Sequence, residues 1–133
     1  MDHIFLFGGN GFLGKNLQEK LKDKGIQHDV IDIACKPSYD LLDKLSCISV
    51  KNEILVSTSK SVCIVLMAAN LGSKQFEKTP IELYTKNQLI DMNCIDIIKN
   101  VSMHRDVHIV YYSSSEVYGE DASLNENSRM FKI

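Results

Sequence analysis

The sequence predicts an α/β fold built on a doubly wound parallel sheet, and three observations point to it. Apolar runs of strand length alternate with segments of helical periodicity, as parallel strands require, because each connection must cross over the sheet. Two runs, Ile4-Phe5-Leu6-Phe7 and Cys63-Ile64-Val65-Leu66-Met67, are continuously apolar, the pattern of strands buried on both faces. The first run passes directly into Gly8-Gly9-Asn10-Gly11-Phe12-Leu13-Gly14 and then into a helical pattern, which is the context of a dinucleotide-binding turn.

Taken in order, the strands are expected near 3–7, 28–33, 47–50, 62–68 and 107–112. Helices are expected near 12–24, 51–59 and 79–101, with a short helical turn over 39–45. In the first turn, Gly8 leaves the strand tightly and Gly11 lets the backbone approach a pyrophosphate without a Cβ in the way. Gly14 lets the helix pack closely on the strand. The helix N-terminus offers unpaired N–H groups and the positive end of its dipole to phosphates. Leu13, Leu17 and Leu21 form a stripe expected to be buried, and Gly25 ends the helix. Asp32 closes the second strand, where a carboxylate accepts hydrogen bonds from ribose hydroxyls and repels the additional phosphate of NADP. NAD is therefore favoured, although Lys36 just beyond could attract a 2′-phosphate.

The helix after Pro80 has two apolar faces. Leu83, Ile90, Cys94, Ile97 and Val101 make one and Ile81, Tyr84, Met92 and Ile95 the other, with Glu82, Lys86, Asn93 and Asp96 in a narrow polar strip. One face can cover the sheet and the second needs another partner. The 133 residues are 44% hydrophobic and 24% charged with a net charge of −2, which suits one soluble domain and offers no basic field for nucleic acid. The longest apolar run, Val62 to Ala69, is far short of the roughly 20 residues that span a bilayer, and residues 1–7 lack the basic start and cleavage pattern of a signal peptide. A cytoplasmic protein without membrane contact is expected. Cys35, Cys47, Cys63 and Cys94 have no metal-ligand spacing and read as free thiols, with Cys63 and Cys94 in the core; no metal site is expected. His3, His28, His104 and His108 read as surface histidines. The tail from Glu120 to Ser128 reads as a polar loop.

After the last strand comes Ser113-Ser114-Ser115-Glu116-Val117-Tyr118-Gly119. With the glycine turn, with Leu66-Met67-Ala68-Ala69, and with Pro80 followed by Asn87 and Asn93, the chain resembles the extended short-chain dehydrogenase/reductase family, the NAD-dependent nucleotide-sugar epimerases and dehydratases. The resemblance implies a Rossmann-type sheet over 1–133, truncated before the Tyr-x-x-x-Lys helix and the substrate domain. It implies a cofactor site at Gly8, Gly11, Phe12, Leu13, Gly14, Asp32, Ala68, Ala69 and Asn87. Ser114 stands where the family keeps a catalytic hydroxyl, which can donate to a ketone and accept from an alcohol. Glu116 is placed as in dehydratases and UDP-glucuronate decarboxylases, and Ser115 matches the decarboxylases.

The sequence departs from the family in three places. Leu66 replaces a histidine, no aspartate near Ser49-Val50-Lys51 is available for adenine, leaving backbone groups or Asn52, and no tyrosine is followed four residues on by lysine. The reading is the NAD-binding portion of a nucleotide-sugar epimerase or dehydratase, inactive by itself. Alternatives are a fragment of a UDP-glucuronate decarboxylase-like enzyme or a non-catalytic NAD-binding regulatory protein. A homodimer through the helix 79–101 is expected, since in the family that helix commonly pairs with its counterpart.

Overall fold

The computed structural model describes residues 3–68 and 80–112. Strand β1 (Ile4–Phe7) leads into helix α1 (Phe12–Asp23) and strand β2 (His28–Ile31). A 3-10 turn (Pro37–Tyr39), helix α2 (Lys44–Ser57), strand β3 (Ser61–Leu66), helix α3 (Pro80–Ser102) and strand β4 (Asp106–Tyr111) follow. The four strands form one parallel sheet in the order β2-β1-β3-β4. Phe7 lies opposite Ile31 on one side and Leu66 on the other, so the carboxyl ends of β1, β2 and β3 finish level.

The alternation of side chains along each strand divides the core into two layers. Phe5, Phe7, Ile31, Val62, Ile64 and Leu66 face α2 and α3, whose Cys47, Val50, Ile54, Ile90, Cys94, Ile97 and Val101 are buried against them. Leu6, Cys63 and Val65 face the other way, onto Leu21 of α1 with Leu17 partly buried beside it. Helices therefore cover both faces, as expected of a doubly wound sheet. Burial pushes the Cys94 thiol up to about 12 and raises that of Cys47. Both are neutral packing groups at ordinary pH, as a core role requires.

Helix α1 ends as the sequence suggests. Gly25 has φ +66°, its N–H donates to the Lys22 carbonyl at 3.0 Å, and the Ile26 N–H donates to the Leu21 carbonyl at 2.9 Å. This is a Schellman closure, and it leaves two fewer orphan carbonyls at the helix end.

The strand expected at 47–50 does not exist. Those residues are the first half of α2, which begins at Lys44 and not at 51. Asp43 caps the helix, its Oδ2 accepting the Ser46 N–H at 3.0 Å. Cys47, Val50 and Ile54 then fall on one buried face at helical spacing. The β-branched Ile48 and Val50 mimic a strand locally, and tertiary burial overrides that propensity. The helical turn expected over 39–45 is likewise replaced by the 3-10 turn at Pro37–Tyr39 and the start of α2. Among the described residues β2 is thus an edge strand, with no third strand outside it.

Two side-chain expectations change as well. His3 is buried, not at the surface: its ring stacks on Phe5 at 4.5 Å and its Nε2 lies 2.7 Å from Asp29 Oδ2 on the neighbouring strand. Leu13 is 59% exposed and lies outside the buried stripe, because the first turn of α1 projects past the end of the sheet.

The far end of α2 is closed by a residue distant in sequence. Arg105, in the connection between α3 and β4, donates through Nη2 to the carbonyls of Leu55 at 2.8 Å and Thr58 at 2.9 Å. Its Nε lies 3.2 Å from both the carbonyl and the hydroxyl oxygen of Thr58. A cation placed on the last carbonyls satisfies acceptors that the helix cannot, and complements the dipole. Arg105→Ala is expected to lower stability by about 2 kcal/mol in urea denaturation. Lys99→Ala on the exposed side of α3 should change it by less than about 0.5 kcal/mol.

Candidate functional site

A cleft of about 520 Å³ opens at the carboxyl ends of β1, β2 and β3, lined by Gly8, Asn10 and Gly11 from the first turn and by Asp32 to Ala34 after β2. Met67 and Ala68 after β3, residues 39–42 and Ile90 of α3 complete it. This is where the chain leaves the neighbouring strands β1 and β3 for opposite sides of the sheet, to α1 and α3, the position at which open α/β folds bind ligands.

The glycine turn is set by close packing. Gly8 has φ +79°, and a Cβ there would stand 2.6 Å from the Ala68 nitrogen. A Cβ on Gly14 would strike the backbone of Gly9, lying 2.6 Å from its Cα, whereas at Gly11 it would meet no atom within 4 Å. Gly14 therefore serves helix-to-turn packing, and Gly11 faces the open space of the cleft. Gln18 fixes the turn from within α1, its Nε2 donating to the Gly9 carbonyl at 2.6 Å.

Helix α1 starts at the cleft with no side-chain cap on Gly11 and no acidic residue in its first turn. Its opening N–H groups and positive dipole end are left for an external anion. Phe12 is 81% exposed and, like Leu13, is not part of the cleft wall. What these two residues can bring is backbone N–H.

Asp32 sits at the lip between β1 and β2. Its Oδ2 accepts the Asn10 N–H at 3.0 Å and its Oδ1 accepts the Ala34 N–H at 3.0 Å. One carboxylate thereby ties the glycine turn to the loop after β2. Each oxygen keeps a lone-pair site for a ligand hydroxyl.

A model of the NAD dependent epimerase/dehydratase family matches residues 4–131. The chain belongs to that family. Its fold is shared with the UDP-glucose 4-epimerase of Thermus thermophilus in complex with NAD, at a TM-score of 0.68 and 21% identity over 98% of this chain and 42% of that one. A second UDP-glucose 4-epimerase gives a TM-score of 0.73 at 20% identity, over 97% of this chain and 41% of that one. The UDP-N-acetylglucosamine 4-epimerase of Bacillus cereus gives 0.68 at 23%, over 98% and 48%. The chain thus spans less than half the length of these structures.

In this member of the epimerase/dehydratase family, Gly8, Gly11, Asp32 and Ala68 come together at the cleft. Asn87 is half-buried on α3 and is not in the cleft wall, which α3 reaches instead through Ile90. Ser114, Glu116 and Ala69 lie outside the described residues, as does the tail from Glu120 to Ser128. Residues 49–51 and Asn52 belong to α2 and are not in the cleft wall. The wall that the sequence reading missed is the segment from Tyr39 to Leu42. Tyr39 donates from its hydroxyl to Glu53 Oε1 at 2.7 Å. Burial first, and then that bond to Glu53, pushes Tyr39 up to about 12, so it remains a neutral donor. Lys36 lies over the Tyr39 ring, 5.1 Å from its centroid. The Asp40 carboxylate accepts the Leu42 N–H at 3.0 Å through Oδ1, and the Pro37 and Asp40 turn signals were the clue available in the sequence.

Among the described residues no cluster of three or more His, Cys, Asp or Glu is placed to hold a metal ion. No described helix is long and apolar enough to cross a membrane. The two glycines separate packing from ligand access. Gly14→Ala is expected to destabilise the fold by about 3 kcal/mol, and Gly11→Ala by no more than about 1 kcal/mol, both read by urea denaturation.

Proposed function

We propose that this chain is the dinucleotide-binding portion of an NAD-dependent nucleotide-sugar epimerase or dehydratase, forming one Rossmann-type domain over 1–133. The observation that carries the reading is the junction at the ends of β1 and β2. There an uncapped helix start, a glycine with open space above it and a carboxylate tied to both strand ends meet at one cleft. These features fit a dinucleotide. The N–H groups that open α1 would hold the pyrophosphate, and Asp32 would accept from the adenosine ribose. Residues 39–42 would face the base, with Asp40 as the acceptor that the sequence reading could not find.

The bound dinucleotide supplies reversible oxidation of a sugar hydroxyl. The chain's own residues bind and orient it, and Ser114 and Glu116 are the proposed groups on the substrate side. The 133 residues contain no Tyr-x-x-x-Lys pair, so a general base of that kind is not among them. Ser115 beside Glu116 keeps a decarboxylase-like parent as the second reading.

Asp32 determines the cofactor choice in this reading. The unmutated chain is expected to bind NAD at least about tenfold more tightly than NADP, a difference of roughly 1.4 kcal/mol. Asp32→Asn, which keeps the shape but removes the charge, should narrow the gap. Calorimetry giving equal affinities for the unmutated chain would refute the assignment of Asp32.

The outer face of α3 is the proposed contact between two copies. Ile81 is 80% exposed, Tyr84 63%, Met92 62% and Ile95 53%, an apolar face interrupted by Gln88, which donates to the Tyr84 hydroxyl; exposed apolar surface of this kind marks interaction sites. A two-fold pairing of such a helix closes on itself. Light scattering over a dilution series is expected to show a dimer that Ile95→Lys dissociates; a monomer at high micromolar concentration would exclude it.

A further inference from the structure

The wall formed by residues 39–42 belongs to no strand, and its position must be set by side chains. Asp40 turns the backbone through the Leu42 N–H, and the Asp43 N–H donates back to the Asp40 carbonyl at 3.1 Å. Both ties are local; Tyr39, Leu41 and Leu42 also pack on the core, and Tyr39 reaches α2 through Glu53, but none of these hydrogen bonds joins the segment to α3.

The Leu41 carbonyl is different. It precedes the first turn of α2, where the earliest helical bond runs from the Cys47 N–H to the Asp43 carbonyl at 3.0 Å, so it has no helical donor. Leu41 is buried, and a buried carbonyl needs a partner. Asn93 supplies one from α3, its Nδ2 donating at 2.8 Å across 52 positions of sequence, and the Cys47 thiol donates more weakly at 3.5 Å. Asn93 is only 4% exposed. It stands among Ile90, Cys94 and Ile97 on the buried side of α3 and not in the solvated strip where the helical pattern placed it. A polar group at such a position is costly unless its bonds are made, so the site is specific to a donor that meets Leu41.

We propose that Asn93 is a positioning residue for the cofactor cleft: by holding the Leu41 carbonyl it fixes the wall at 39–42 against α3 and so sets the width of the cleft at its adenosine end. The proposal rests on the reading of the cleft as a dinucleotide site. Asn93 itself does not line the cleft and acts through Leu41. Its influence is therefore confined to one end. The glycine turn at the other end is held by Asp32, Gln18 and close packing, none of which touches Asn93.

The test uses the full 133-residue chain and Asn93→Leu, which keeps the branched heavy-atom shape and removes the donor. Two probes report on the two ends of the cleft, AMP for the adenosine wall and inorganic pyrophosphate for the glycine turn, each titrated by NMR. Amide exchange at 39–43 is followed in the same samples. AMP affinity is expected to fall roughly tenfold, with pyrophosphate binding changed less than about twofold and faster exchange at 39–43 than in the sheet. A general loss of stability would weaken both probes together, and that result overturns the proposal, as does unchanged AMP binding. If the unmutated chain binds neither probe, the dinucleotide reading fails. Exchange then decides separately whether Asn93 holds the wall, unchanged rates at 39–43 overturning even that. Should Asn93→Leu not fold, Asn93→Asp is read by the same criteria.

Discussion

The close approach of backbone to backbone around the first turn is the constraint on which the rest of the structure depends. Gly8 abuts Ala68 at the end of β3, a Cβ on Gly9 would lie 2.8 Å from that of Leu6, and Gly14 lies against Gly9. Side chains at these positions would push β1, β3 and α1 apart. With them absent, three strand ends and one helix start meet within a single turn, and the start of α1 faces the cleft. Asp32 extends the arrangement to β2 by bonding one N–H on each side of the lip. The same carboxylate therefore holds the lip together and lines the cleft, which makes its charge and its geometry separable only by a substitution that preserves one of them.

Beyond β2 a different kind of support takes over. Strand pairing ends there among the described residues, so the far wall of the cleft is held by individual side chains. Tyr39 is tied to Glu53, Asp43 caps α2, and the Leu41 carbonyl is secured from α3. Such contacts are each of modest worth in water-exposed settings but cost more to break when the group left behind is buried. This end of the cleft consequently depends on a few specific bonds beside the packing of Tyr39, Leu41 and Leu42 on the core, whereas the glycine end adds close backbone packing to the bonds of Asp32 and Gln18.

The exit from α2 repeats that pattern at the opposite end of the sheet. Arg105 gathers carbonyls of Leu55, Thr58 and His104, so the end of α2 and the entry to β4 are joined by one guanidinium. Helix α2 is thus secured at its start by Asp43 and at its end by Arg105. Its mixed surface, with Leu45, Ile48 and Val56 exposed opposite the buried face, explains why its periodicity is weak although the helix is well defined.

The sequence by itself determined the fold class, the glycine turn, the length of α1 with its Gly25 stop, the long α3 with its two apolar faces, and the placing of Asp32 beside the turn. These follow from local rules: a positive φ that favours glycine, a continuous apolar run or an apolar period of 3.6, and a carboxylate at a strand end. Residues 47–50 were not legible, because Cys-Ile-Ser-Val carries strand propensity, and only burial of Cys47, Val50 and Ile54 on one face makes the helix the better solution. Nor could periodicity reveal that Asn93 leaves the polar strip for the core, or that His3 is buried against Phe5 and Asp29. Each answers a partner distant in sequence, and a buried polar group takes its place from the donor or acceptor it meets there, which only the tertiary structure decided.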